Sequence, residues 1–283
     1  MKPRVMSLVL FTCMVGLIIA PKNVSYLNSV LSLIAVALGA GAAGTLNMWY
    51  ESDLDALMTR TCLRPIPTGQ VTKNQALFFG VLLSVGSVAL LYFSSNLMSA
   101  SLLLLTICFY FFIYTVWLKR RTPQNIVIGG AAGALPPVIG WTIATGSLSI
   151  EPLILFLIIF LWTPSHFWAL SIYKSNDYKK AKIPMLPIIY GIEKTKKNIF
   201  IYSLLMLPTI SVPYFISFLS EIYFYPTLAL TIYYVYLCGT LLKVKKSTEV
   251  NTLARKIFLY SIFYLFFIFL LILSDHFFTR FYG

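Results

Sequence analysis

Residues 74–118 read NQALFFGVLLSVGSVALLYFSSNLMSASLLLLTICFYFFIYTVWL, a run of 45 residues without a charged side chain. As a single helix, this run would be about 68 Å long at 1.5 Å per residue. The hydrocarbon core of a bilayer is only about 30 Å thick. The run therefore predicts two membrane-spanning helices, joined by a turn at Ser94, Ser95 and Asn96. It sets the fold class, which is an all-α membrane protein.

The composition of the whole chain agrees with this class. Apolar residues make up 59% of the 283 residues and charged residues 11%, against roughly 25% charged in soluble domains. A disordered chain is thereby excluded, and an ordinary soluble enzyme is disfavoured. The four cysteines form no CxxC pair, so they indicate neither a zinc site nor a disulfide framework. In so apolar a chain, the net charge of +13 concerns a membrane and gives no reason to expect nucleic acid.

The other charge-free runs each hold one further span of about 17–25 residues. We predict a single domain over residues 1–283 in which nine transmembrane helices form one bundle. The first run resembles a signal peptide, but Ala20-Pro21-Lys22 is a poor cleavage site, so we treat it as a mature helix. The predicted spans are about 4–20, 27–49, 75–93, 97–117, 124–145, 152–173, 199–219, 222–242 and 257–274.

Basic residues are distributed very unevenly over the two sides that nine spans define. One side receives 20 lysines and arginines, and the other receives only Lys22 and Arg280. The positive-inside rule predicts a cytoplasmic N-terminus, an outer C-terminus and a multi-pass location in a bacterial-type inner membrane. The polar loops then share the cytoplasmic face, and His166 is the ionisable residue clearly within a span. A transporter would need more polar groups at mid-bilayer, so an enzyme with one cytoplasmic mouth is favoured.

The densest acidic segment of the chain follows the second span. Glu51, Asp53 and Asp55 are three of only nine acids in the chain, and Asn47 precedes them by one helical turn. On a continuing helix, residues 47, 51 and 55 share one face. A divalent cation would relieve the repulsion between these carboxylates, and Mg²⁺ prefers such oxygen ligands. The alternative interpretation is a solvated helix end.

Two arginines follow this segment in a turn that contains Pro65, Pro67 and Gly69. Arg60 and Arg64 are suited to bind phosphate oxygens that a metal does not take. Carboxylates and arginines in this order predict a diphosphate site. The alternative for the arginines is anchoring to the membrane surface.

The pattern N-x-x-x-E-x-x-x-D followed by R-x-x-x-R-P resembles the first signature of the UbiA superfamily of intramembrane prenyltransferases. The resemblance implies a nine-helix fold, Mg²⁺ as cofactor, and transfer of a prenyl chain from its diphosphate to an acceptor ring. It assigns Asn47, Glu51 and Asp55 to the metal, with Asp53 as a weaker candidate. The chain departs from the family at Glu51, where the family has Asp. Glu keeps the charge and reaches one methylene further, so metal binding is still expected.

The superfamily carries a second acidic motif, and in this chain Asp177 stands at its place. Positions 173 and 181 hold Tyr and Ala, so a second site with two carboxylates is not expected. We assign Asp177 to the catalytic set with Glu51 and Asp55. Basic and aromatic residues of two loops are candidates for binding diphosphate, with membrane anchoring as the alternative for the basic ones. These candidates are Lys119, Arg120, Lys174 and Tyr178.

Two further stretches resemble the branch of the superfamily that modifies heme. They are residues 122–141, with the small-residue run GGAAGALPP, and residues 163–170, TPSHFWAL. The resemblance implies that farnesyl diphosphate and heme b are substrates, that the 2-vinyl group of heme is farnesylated to give heme O, and that heme A synthase or a terminal oxidase is a downstream partner. His166, Asn125 and Trp168 are candidate heme contacts, and His166 is also a catalytic candidate. Pro136 and Pro137 should kink the predicted span 124–145. The small residues of this span suit close helix packing or, alternatively, a groove for a flat macrocycle.

Two other functions remain open at this point. Another aromatic prenyltransferase of the superfamily, acting on a quinone precursor, is the nearest alternative. A transporter or assembly subunit is the least favoured, because its expected polar residues at mid-bilayer are missing.

Overall fold

The computed structural model describes residues 3–59 and 61–282, and within these ranges it is all-helical. A π-helical segment, Phe109–Leu118, continues directly from α5. The helices are α1 Pro3–Ile18, α2 Tyr26–Tyr50, α3 Ser52–Leu57, α4 Lys73–Ser94, α5 Leu97–Cys108, α6 Asn125–Ala134, α7 Pro136–Thr145, α8 Ile150–Tyr173, α9 Ser175–Lys180, α10 Leu186–Ile189, α11 Gly191–Phe215, α12 Glu221–Lys243 and α13 Ser247–Tyr282.

Eight helical segments of the described chain are long and apolar enough to cross a membrane. Two of these segments are composite, since α5 runs on into the π-helix and α6 is followed at once by α7. A shorter apolar helix, α1, is added to the eight. The prediction of an all-helical membrane fold is therefore confirmed, and the long uncharged run is indeed two helices that part at residues 95 and 96.

The turn between those two helices is fixed by local side chains. The Asn96 side chain caps α5 by accepting a hydrogen bond from Ser99 N (3.0 Å). Its amide also donates to Thr142 O of α7 (2.8 Å). The same residue therefore starts one helix and ties it to another.

A break between α6 and α7 lies where the sequence predicts a kink. Pro136 begins α7, and Leu135 before it keeps helical angles of φ −74° and ψ −24°. α7 packs closely across α1 at two glycines. A Cβ added to Gly140 would lie 1.9 Å from Cys13 O, and one added to Gly16 would lie 2.1 Å from Pro137 O. Only glycine permits this backbone approach.

Two helices extend well beyond the spans predicted from uncharged runs. α11 starts at Gly191 rather than at residue 199, and α13 covers Ser247–Tyr282 rather than 257–274. Some charges beyond the predicted spans, such as Lys197 and Lys256, are exposed on these helices, and two others are buried in the fold. Lys196 is 1% exposed and donates to Val244 O (2.6 Å) and Glu193 (2.7 Å). Asp275 is 2% exposed and accepts from the backbone N–H of Ser220 at the start of α12 (3.1 Å).

The apolar core has two large parts and one small part. One large part joins α8, α11, α12 and α13, and the other joins α1, α2, α4, α5 and α7. The small part lies among the loops near the acidic segment. It consists of Met58, Ile126, Tyr178, Ala181, Ile183 and Met185.

Candidate active site

The acidic segment keeps helical spacing although α2 ends within it. Glu51 separates α2 from α3, yet its N–H donates to Asn47 O (3.0 Å) and its carbonyl accepts from Asp55 N (2.8 Å). Asn47, Glu51 and Asp55 therefore follow one another by single turns, as the sequence predicts. All three are buried, with exposed fractions of 1%, 2% and 4%.

The two buried carboxylates each have a cation supplied by a loop. The Oε2 atom of Glu51 accepts from Lys119 Nζ and from Asn47 Nδ2 (2.8 Å), whereas Glu51 Oε1 is buried without a hydrogen-bond partner. Asp55 pairs with Arg64 at 2.7 Å. Lys119 and Arg64 are thus gathered at the acidic segment, where the sequence predicts diphosphate contacts. Arg60 lies outside the described residues.

Asp53 is directed away from these two carboxylates. Its side chain is 56% exposed and accepts two bonds from the Arg120 guanidinium, at 2.8 and 3.0 Å. Arg120 also lies 5.2 Å from the centroid of the Tyr50 ring. Burial raises the pKa of the Asp53 carboxyl, but the hydrogen bonds and charge of Arg120 outweigh it, and the pKa lies below its ordinary value. The structure does not bring Asp53 together with Glu51 and Asp55.

The third loop reaches the same end of the bundle through Asp177 on α9. Asp177 is buried and accepts from Thr59 Oγ1 at both carboxylate oxygens, at 3.0 and 3.1 Å. Its neighbour Tyr178 is buried against Met58 in the small apolar cluster. Lys174, between α8 and α9, lies over the Tyr173 ring at 4.7 Å from its centroid. The loops after α3 and α8 are therefore joined by both polar and apolar contacts.

His166 is buried in α8 and belongs to a different environment. Its Nδ1 is 2.6 Å from Ser261 Oγ of α13, and its ring stacks on Trp162 with centroids 4.3 Å apart. Because α8 ends at Tyr173 and α9 starts at Ser175, no continuous helix carries His166 and Asp177 on one face.

The other two candidates for heme contact are also buried, and each leaves one polar atom without a partner. Asn125 begins α6, donates from Nδ2 to Thr122 O, and has no partner at Oδ1. Trp168 is 2% exposed, packs edge-on to Tyr202, and has no partner at Nε1.

The small residues of α6 and α7 mostly accommodate neighbouring side chains or backbone. A Cβ on Gly129 would lie 2.2 Å from the Tyr114 ring, and one on Gly130 would lie 2.9 Å from Thr163. Gly140 meets the backbone of α1, whereas Gly133 faces open space. Close packing therefore accounts for three of these four glycines.

The structure adds residues that sequence reasoning did not single out. Thr59 holds Asp177, Ser261 holds His166, and Thr115 Oγ1 accepts from Asn47 Nδ2 (3.1 Å). These serines and threonines are common residue types in ordinary positions, so only their partners distinguish them. The π-helix was equally unforeseen, although it presents Thr115 and Lys119 to the acidic segment.

The donor set at the acidic segment fits Mg²⁺. Within residues 3–59 and 61–282, no three histidine, cysteine or acidic side chains converge to hold a metal. Asn47, Glu51 and Asp55 nevertheless supply amide and carboxylate oxygens at one turn's spacing, and the unpartnered Oε1 of Glu51 is available to a cation. Mg²⁺ typically binds through one or two protein carboxylates and completes its shell with water and substrate phosphate.

A helical membrane bundle with this polar end defines a class of protein. Residues 9–274 match the model of the UbiA prenyltransferase family, and the chain belongs to that family. It is 65% identical over 275 residues to protoheme IX farnesyltransferase of Pelagibacter ubique, an alignment that covers 97% of this chain and 91% of that protein.

Two solved structures share the fold. One is of digeranylgeranylglyceryl phosphate synthase, with a TM-score of 0.79 and 19% identity over 95% of this chain and 92% of that one. The other is a UbiA homolog from Archaeoglobus fulgidus bound to DMAPP and Mg²⁺, with a TM-score of 0.68 and 17% identity over 93% and 96%. At these identities the likeness concerns the fold alone.

Proposed function

We propose that the protein transfers the farnesyl group of farnesyl diphosphate to the 2-vinyl group of heme b and so makes heme O. The main support for this proposal is the 65% identity, over nearly the full chain, to a protoheme IX farnesyltransferase. The buried acidic segment beside Lys119 and Arg64 agrees with it, since these are oxygen ligands and cations suited to a metal-bound diphosphate. Heme b is a substrate here, and Mg²⁺ is the cofactor.

The residues of the site would act mainly on the leaving group. Asn47, Glu51 and Asp55 would hold Mg²⁺, which when bound neutralises diphosphate charge. Lys119 and Arg64 would then turn from the carboxylates to phosphate oxygens, where they stabilise the charge that develops as the carbon–oxygen bond breaks. Lys174 and Arg120, on loops, and Tyr178, on α9, would orient the diphosphate.

The departure of diphosphate leaves an allylic farnesyl cation. The electron pair of the heme 2-vinyl group attacks this cation, forming a carbon–carbon bond and a new cation next to the macrocycle. Water adds there and loses a proton, which gives a hydroxyethylfarnesyl substituent. The apolar bundle keeps water from the first cation. Asn125, His166 and Trp168 would contact the heme, and the buried Asn125 Oδ1 and Trp168 Nε1 have no other partner among the described residues.

The same proposal includes location and partners. The polar loops, rich in lysine and arginine, would face the cytoplasm of a bacterial inner membrane, with the N-terminus inside and the C-terminus outside. The product would pass to a heme A synthase or a terminal oxidase. A topology reporter fused after Gly283 is expected to be active only on the outer side, and a cytoplasmic signal would contradict the orientation.

The direct test supplies membranes containing the protein with farnesyl diphosphate, Mg²⁺ and heme b, and resolves the pigments by mass spectrometry. We expect a new heme heavier by one farnesyl group and one hydroxyl group. The same membranes with a quinone precursor as acceptor should give no prenylated product. Unmodified heme together with a prenylated quinone precursor would replace this proposal with the alternative.

Variants of the acidic segment connect the reaction to the site. Glu51→Gln and Asp55→Asn are expected to abolish turnover, because each removes a charge from the proposed metal ligands. Glu249→Gln is the matched control, since Glu249 is exposed and has only a long 3.6 Å pair with Lys246. Full activity in Glu51→Gln, at an unchanged protein level, would remove the acidic segment from the mechanism.

A further inference from the structure

Thr115 stands beside the acidic segment on a different helix. It is fully buried in the π-helical segment Phe109–Leu118. Its hydroxyl donates to Tyr110 O (2.8 Å) and accepts from Asn47 Nδ2 (3.1 Å). The contact joins residues that are 68 positions apart in sequence.

The direction of these hydrogen bonds follows from the atoms involved. A backbone carbonyl only accepts, so the single hydroxyl hydrogen of Thr115 is directed to Tyr110 O. The hydroxyl can then only accept from Asn47, which requires the NH₂ of the amide on that side. The second contact of the same nitrogen is Glu51 Oε2, which is also an acceptor. Both contacts therefore turn the amide oxygen of Asn47 away from Thr115.

The π-helix makes this arrangement available. In an α-helix, a threonine hydroxyl donates back to the carbonyl three or four residues earlier. Here the hydroxyl reaches the carbonyl five residues earlier, and Lys119 N likewise donates to Tyr114 O (3.0 Å). π-helical turns occur frequently at functional sites. In this one, Thr115 contacts Asn47, and Lys119, the residue that follows the π-helix, contacts Glu51.

We propose that Thr115 is a positioning residue that holds the Asn47 amide with its oxygen toward the metal. This inference rests on the proposed function, in which Asn47 binds Mg²⁺. One acceptor of Asn47 Nδ2 is Oε2 of Glu51, a side chain that is itself drawn to the ion, whereas the Thr115 hydroxyl is held by its own bond to Tyr110 O. Thr115 is then an acceptor that keeps the amide from rotating. Threonine at 115 acts through Asn47 and does not itself touch substrate.

The test compares Thr115→Val, which removes the hydroxyl at nearly constant shape, with Thr115→Ser, which keeps it. We expect Thr115→Val to raise the half-saturating Mg²⁺ concentration of the farnesyl transfer about tenfold, the scale of a lost contact behind a metal ligand. The rate at saturating Mg²⁺ should change much less. Thr115→Ser should behave as the wild type. The matched control is Thr106→Val, because Thr106 lies on the preceding α5 and its hydroxyl donates to Leu102 O of its own helix.

A readout without turnover separates this inference from the heme reaction. In nanodiscs without heme, Mg²⁺ is titrated in the presence of farnesyl diphosphate, and the rise in melting temperature is followed. Thr115→Val should need about tenfold more Mg²⁺ for half of that rise. If the wild type shows the Mg²⁺ response but makes no farnesylated heme, heme b is rejected as the substrate that accepts the farnesyl group. The role of Thr115 is then still tested by the Mg²⁺ titration. No Mg²⁺ response in the wild type would reject both.

Three results would overturn the role of Thr115. They are an unchanged Mg²⁺ dependence in Thr115→Val, an equal loss in Thr115→Ser, and an equal loss in Thr106→Val. If Thr115→Val does not accumulate, Thr115→Ala serves for the same comparison. A double-mutant cycle adds a further requirement. Removing the hydroxyl in an Asn47→Ala background must have no additional effect on the half-saturating Mg²⁺ concentration, and an additive loss would contradict action through Asn47.

Discussion

Replacing Gly140 by alanine should destabilise the bundle through a single atom. The new Cβ would lie 1.9 Å from Cys13 O and 2.8 Å from Leu17 N, both of them backbone atoms of α1. Separations below 3.0 Å essentially never occur for a real Cβ. The two helices would have to move apart by about 1.1 Å, from 1.9 to 3.0 Å. No side chain can rotate away to avoid this.

The expected cost is that of overpacking a tight core, about 1–3 kcal/mol, with a lower melting temperature in detergent. Gly133→Ala is the control, because a Cβ there meets nothing within 4 Å. In that helix an alanine should be neutral or stabilise by up to about 1 kcal/mol. Both variants can be measured by thermal unfolding of the purified protein.

The comparison also decides between the two interpretations of the small residues in α6 and α7. Equal melting temperatures for Gly140→Ala and Gly133→Ala would refute the close-packing argument. A raised KM for heme in Gly140→Ala, at an unchanged melting temperature, would instead favour the macrocycle groove.

Three further predictions concern charge. Lys119→Met should lower the free energy of unfolding by about 3–5 kcal/mol, because it leaves the buried Glu51 carboxylate without its cation. In chemical unfolding, the double variant with Glu51→Gln should regain stability, but it should not regain activity. Asp53→Asn should lower activity far less than Asp55→Asn. Because the pKa of Asp53 is depressed, the small stabilisation from its ion pair with Arg120 should be constant above about pH 4 and be lost as the pH falls further. Melting curves of the wild type and Asp53→Asn at several pH values test this. Asp275→Ala should lower the free energy of unfolding by about 1–2 kcal/mol, since it removes the acceptor at the start of α12. A loss of activity in the variant that remains folded would contradict a purely structural role.

The lengths of the uncharged runs predicted most of the membrane fold. They predicted the two helices of residues 74–118, and the missing N–H and the ring of proline predicted the break at Pro136. The same rule failed at α11 and α13, because these helices continue through exposed charges such as Lys197 and Lys256, and because buried Lys196 and Asp275 are satisfied by backbone groups that only the folded chain brings near. A scan for charges cannot see those partners.

The candidate site divides in the same way. The spacing of Asn47, Glu51 and Asp55 is local, and the structure keeps it. The pairing of Glu51 with Lys119 and of Asn47 with Thr115 spans 68 residues and depends on how two helices pack. Spacing alone could not predict which acid receives which cation, nor the π-helix that sets those contacts.

The crossing of α1 and α7 also has a consequence in time. The first helix ends at Ile18, and the helix it packs against ends at Thr145. Synthesis proceeds at about 5–20 residues per second, so the face of α1 that carries Gly16 is in the membrane for roughly 6–25 s before α7 has been made. During this interval the backbone that Gly16 leaves open is covered by lipid or by a temporary neighbour. The sequence of α1 must therefore suit two surroundings, the early membrane and the finished bundle.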